Sequence, residues 1–86
     1  MTQQQHDLTD LKSGMAILAT CIVQTLNESD DTFQARFLDR LERAYQERRD
    51  NADTPVKDEL ELLAWTRQLL TGFTYGEGQG KPFLND

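Results

Sequence analysis

The chain has 86 residues, a single cysteine, a single histidine and a formal net charge of −6. A length of this order makes one domain and buries only about 60–65% of the surface that its unfolded form exposes, so the core needs outside support. The lone Cys21 excludes an internal disulfide, Cys21 with His6 gives no metal-ligand spacing, and the acidic balance argues against direct binding of nucleic acid. Oligomerisation is the support that remains.

Residues 1–7 have no apolar periodicity and read as a flexible polar terminus, with His6 an exposed, solvated ring. The first helix is expected over about 8–26. Leu8, Leu11, Met15, Leu18, Ile22 and Leu26 recur at three- and four-residue spacing, the pattern of a buried helix face. Ala16, Ile17, Ala19, Cys21 and Val23 carry the apolar surface around almost the whole circumference, and the small Gly14, Ala16 and Ala19 leave room for another helix to come close. Cys21 reads as a small core hydrophobe. The apolar run Met15–Val23 is about half the length that crosses a bilayer. Leu18-Ala19-Thr20-Cys21 resembles a lipoprotein cleavage box, but Thr20 fits poorly before the cysteine and Asp7 and Asp10 stand where a basic flank belongs. The expectation is a cytoplasmic protein with no membrane association.

Asn27–Asp31 is a turn and capping cluster, in which Asp31 with Gln34 makes a capping-box pair for the next helix. That helix is expected over about 32–49. Phe33, Phe37, Leu38, Leu41, Ala44 and Tyr45 span an arc of roughly 140°, which makes it one-sided. Arg36, Arg40 and Arg43 line one edge, laced by Asp39 and Glu47 at four-residue spacing. A solvated row of ion pairs is the plain reading of this edge, and a contact for a partner's carboxylates or phosphates the functional one.

The third helix is expected over about 55–71. Thr54 serves as its cap, Pro55 as its first residue, Asp58 and Glu59 as acids in its first turn, and Gly72 as its left-handed stop. Val56, Leu60, Leu63 and Leu70 form one stripe; Leu62, Leu69 and Phe73 form a second, with Trp65 at its edge. The combined arc is roughly 220°, about twice what one buried face needs. Arg67 falls within the first stripe, either as a stem lying along the core or as an ion-pair partner across an oligomer contact. The segment Leu63–Leu70, LAWTRQLL, is similar to stretches of small bacterial helical proteins, a likeness that transfers no residue roles. Residues 74–86 form a Gly-rich tail. The Gly80-Lys81 pair is no phosphate loop, because Tyr75 and Pro82 occupy positions that need glycine and serine or threonine. Its glycines read as a hinge and as too many for a strand, while Phe73, Tyr75, Phe83 and Leu84 are apolar enough to dock on the bundle or on a partner.

These elements make an all-α chain: a three-helix domain over 8–73 followed by the tail. The apolar surfaces of the first and third helices exceed what one copy covers, so a homodimeric shared bundle is expected, with Ile17, Cys21, Leu62, Trp65, Leu69 and Phe73 at the contact. Arg36, Arg40, Arg43, Tyr75 and Phe83 are the candidate contacts for a further protein partner. No catalytic constellation, cofactor site or metal site is expected. The function expected is therefore a small, acidic, non-enzymatic interaction or regulatory protein. Two alternatives are an inhibitor or antitoxin-like protein for a basic, nucleic-acid-binding partner, and a bundle holding an apolar ligand with Trp65 or Tyr45 at the pocket mouth.

Overall fold

A computed structural model describes residues 2–84, and the side chains from Leu8 onward; the side chain of His6 and the last two residues lie outside this description. Three helices run in order, α1 (Thr2–Ser29), α2 (Phe33–Asn51) and α3 (Lys57–Thr71), followed by a hairpin of β1 (Phe73–Thr74) and β2 (Gly78–Gln79). The all-α class holds, with this small sheet as an addition.

α1 begins at Thr2, well before the expected residue 8. Its first residues, Thr-Gln-Gln-Gln, contain neither glycine nor proline, and glutamine is a good helix former. Its 28 residues give a length of about 42 Å at 1.5 Å per residue, which matches the 42 Å long axis of the molecule.

The side of α1 turned to the rest of the chain is not the leucine stripe. Lys12, Ala16, Thr20 and Val23 are buried, whereas Leu8, Leu11, Met15, Leu18, Ile22 and Leu26 are 42 to 62% exposed. The two rows are centred roughly 110° apart around the helix. Small side chains at Ala16 and Thr20 let α3 pack closely, and the Thr20 hydroxyl is satisfied by donating to the Ala16 carbonyl at 2.8 Å. Thr66 of α3 is likewise buried and donates to the Leu62 carbonyl at 3.0 Å. Ala16, Val23 and Leu70 are the fully buried apolar residues, a small core for three helices.

α2 starts at Phe33, with Thr32 as its cap residue but no bond from a Thr32 side chain to the helix. The expected Asp31–Gln34 box is replaced by two other groups. Asp30 accepts from the Thr32 N–H and hydroxyl at 3.0 and 2.6 Å, and Asn27 at the end of α1 accepts from the Gln34 N–H at 2.9 Å. Helix α2 is thus capped by α1, which fixes the turn between them. Gln34 also reaches the Leu70 carbonyl at the far end of α3, 3.4 Å away.

α3 starts two residues later than expected. Val56, not Thr54, is its cap residue, and the Val56 carbonyl accepts the first helical bond from Leu60. Thr54 and Pro55 stay in the connection. The acids in the first turn are engaged elsewhere, Asp58 by Lys12 and Glu59 by Arg48, and these pairs anchor where the helix begins. At its other end Gly72 stops the helix as expected, with φ 78° and its N–H donating to the Gln68 carbonyl.

The tail folds where a loose hinge was expected. β1 and β2 pair antiparallel with Phe73 opposite Gln79 and Thr74 opposite Gly78. Gly78 has φ 81°, the left-handed conformation that closes a three-residue hairpin loop. Gly80 then donates to the Gly72 carbonyl at 2.7 Å, and Phe83 donates to the Leu69 carbonyl at 2.8 Å. Glycine here is what permits the strand pair to turn and return to α3.

Candidate protein-protein interface

The largest apolar surface is the outer stripe of α1. Six long aliphatic side chains from Leu8 to Leu26 lie along one line of the helix and present on the order of 500 Å² of apolar surface, the upper end of what a monomer exposes in one patch. Leu8, Leu11, Met15, Leu18 and Ile22 alternate at spacings of three and four, the repeat of a coiled-coil seam. From Ser13 to Asn27 α1 contains no charged residue.

On the side of α1 that faces α3, Lys12 is 8% exposed and fixes the phase of the helix. Its Nζ donates to Asp58 Oδ1 at 2.8 Å and to Glu61 Oε1, and lies 5.6 Å from the centre of the Trp65 ring. The hydrogen bond to Asp58, then that to Glu61, holds the Lys12 pKa above its ordinary value. Lys12 carries no expectation from the sequence; its signal there is that it is the one lysine or arginine of α1 and stands at the edge of the charge-free stretch Ser13–Asn27.

Of the residues expected at the dimer contact, Ile17, Trp65 and Leu69 line a half-open groove of about 300 Å³ between α1 and α3, together with Phe83 of the tail. Cys21, Leu62 and Phe73 are also half-buried. The Phe73 ring meets Tyr75 edge-on, with centres 5.3 Å apart. None of the six is among the large exposed hydrophobic residues. The second stripe of α3 is half-buried within the chain, and its Leu69 shares a groove with Ile17 of α1 and Phe83 of the tail.

The candidate partner contacts separate into three places. Arg36 and Arg40 edge a shallow depression with Phe33 and Phe37. Arg36 also binds Asp30 at 2.7 Å, and its guanidinium lies 5.8 Å from the centre of the Phe33 ring. Arg43 pairs with Asp39 at 3.2 Å, the four-residue pair read from the sequence. Tyr75 is 82% exposed at the hairpin, where Arg67 lies over its ring at 5.9 Å. Phe83 turns inward instead, its carbonyl accepting from Gln24 Nε2 at 2.6 Å. Arg67 borders a groove of about 260 Å³ between α2 and α3 with Tyr45 and Tyr75, so its observed neighbour is aromatic. Trp65 and Tyr45 line different grooves and share no mouth.

Among the described residues no group of three or more His, Cys, Asp or Glu side chains is placed to hold a metal ion. No described helix is long and apolar enough to cross a membrane. No protein-family model matches the chain, and no curated protein or solved structure is similar to it.

Proposed function

We propose that this is a small, acidic, non-enzymatic helical interaction protein that works as a homodimer, with the outer stripe of α1 as the seam between copies. The observation that carries this reading is the row Leu8, Leu11, Met15, Leu18, Ile22, Leu26, half or more exposed on average and spaced as a coiled-coil seam requires. Leaving each such side chain in water forgoes roughly 1.5–3 kcal/mol of the stabilisation that burial gives. A chain with so few fully buried apolar residues gains from covering them. The proposed contact is therefore this outer row of α1 rather than the set Ile17, Cys21, Leu62, Trp65, Leu69 and Phe73 shared between α1 and α3. On that dimer the regulatory surface is the side of α2 and the hairpin, where Arg36, Arg40, Arg43 and Tyr75 remain exposed. A cytoplasmic setting suits a chain whose one cysteine forms no internal disulfide.

Light scattering on the size-exclusion peak, from low to high micromolar concentration, tests the reading. The expected result is a dimer that the double substitution Leu11→Glu with Leu18→Glu converts to a folded monomer. A wild-type protein that stays monomeric throughout that range refutes it.

A further inference from the structure

α1 contains a glycine that nothing among the described residues accounts for. Gly14 lies in the first half of the helix, where glycine weakens helix formation relative to alanine. Its φ is not positive, and among the described residues a Cβ built on it would meet no atom within 4 Å. Neither the backbone nor the packing of the described residues asks for glycine there. Gly14 is exposed and immediately precedes Met15 of the seam. It lies on the flank turned away from Lys12, whose own flank is occupied by α3.

Resting on the homodimer reading above, we infer that Gly14 marks the closest approach of α1 from a second copy, admitting the partner helix where any side chain would hold it off. Two observations select a second copy as the occupant. The seam from Leu8 to Leu26 is about 27 Å long, and two such apolar rows packed together bury on the order of 1,000 Å², the size that a biological interface has to reach. Between Lys12 and Glu28 the helix carries no charge, so two copies of a chain of net charge −6 meet there without opposing like charges, while a basic partner finds nothing on the seam to pair with.

The test measures two quantities. In the monomeric Leu11→Glu/Leu18→Glu background, Gly14→Ala raises the melting temperature, because the chain's own fold gains a better helix former and loses no contact. In the otherwise wild-type chain, Gly14→Leu raises the dimer dissociation constant, measured by sedimentation equilibrium, roughly tenfold or more, the scale of overpacking a close contact. A wild-type dimer whose dissociation constant Gly14→Leu leaves within about twofold overturns this inference alone. A lower melting temperature for Gly14→Ala in the monomeric background also overturns it, by showing that the chain's own fold requires the glycine. A wild-type chain that never dimerises overturns the homodimer reading as well.

Discussion

Lys12 Nζ of α1 donates to Asp58 Oδ1 of α3 at 2.8 Å while Glu61, one turn further along α3, accepts a second hydrogen bond from it. The ammonium is nearly out of solvent, and these two carboxylates are its counter-charges across the main helix contact. Removing them is therefore expected to be worse than removing the lysine, since an unpaired buried charge destabilises more than the loss of a pair. Asp58→Asn with Glu61→Gln should lower the melting temperature at neutral pH by more than Lys12→Met does. Adding Lys12→Met to that double variant should recover part of the loss. Thermal melts of the three variants give the comparison, and an additive triple variant would show the groups to be uncoupled.

Two surface carboxylates make the fold sensitive to acid. The Thr32 hydroxyl, then its N–H, hold the Asp30 pKa below the ordinary carboxylate value, with Arg36 assisting; the bond from Arg48 does the same for Glu59. A depressed folded-state pKa means that the contribution is present above the unfolded value, about 4, and is lost as pH falls through the folded value. Stability should thus decline below about pH 4. Asp30→Asn with Glu59→Gln should flatten that limb in urea unfolding measured as a function of pH. Lys12 has the opposite sign. Its raised pKa makes its contribution complete below the ordinary lysine value and lost as pH rises through the folded one, so Lys12→Met should flatten the alkaline limb.

Gly72 and Gly76 separate a required glycine from a tolerated one. At Gly72 φ is 78° and a Cβ would lie 2.5 Å from the Gly80 carbonyl oxygen; at Gly76 φ is not positive and a Cβ meets nothing within 4 Å. Gly72→Ala should destabilise by about 2 kcal/mol or more, through left-handed backbone strain and the displaced hairpin. Gly76→Ala should be neutral or stabilising by up to about 1 kcal/mol. Urea midpoints for the two variants decide the matter, and equal values would contradict the hairpin geometry.

Phe83 of the tail lines the same half-open groove as Trp65, the single tryptophan of the chain. Phe83→Ala should red-shift Trp65 emission and lower stability by about 2 kcal/mol, roughly half the loss at a fully buried phenylalanine. An unchanged emission maximum would mean that the tail does not cover the ring in solution.

The three helices, the Gly72 stop and the Asp39–Arg43 pair were legible because each follows from local spacing. The phase of α1 was not. Leucines lie on one side of it and Ala16, Thr20 and Val23 on another, so apolar periodicity alone could not say which row faces α3. What decides it is the attraction of Lys12 for two acids some 46 and 49 residues away, a pairing that no local window contains. The start of α3 at Val56 has the same origin, since its acids answer to Lys12 and Arg48. The hairpin was missed for a different reason. Glycines at 78 and 80 were weighed as strand breakers, when their left-handed and close-approach conformations are what let so short a strand pair return to the helix. The same separation bears on the candidate interface, for the longest side chains of α1 drew attention as core and turn out to face away from it.

The division of α1 into a small, ion-paired inner row and a large, aliphatic outer row has a consequence for how this molecule can change over time. The inner row identifies the fold, and the outer row is free of that duty. Substitutions among Leu8, Leu11, Met15, Leu18 and Ile22 can therefore remake the outer surface of the helix while the same three-helix body persists. On the dimer proposed above, recognition and architecture occupy one helix yet answer to separate selection.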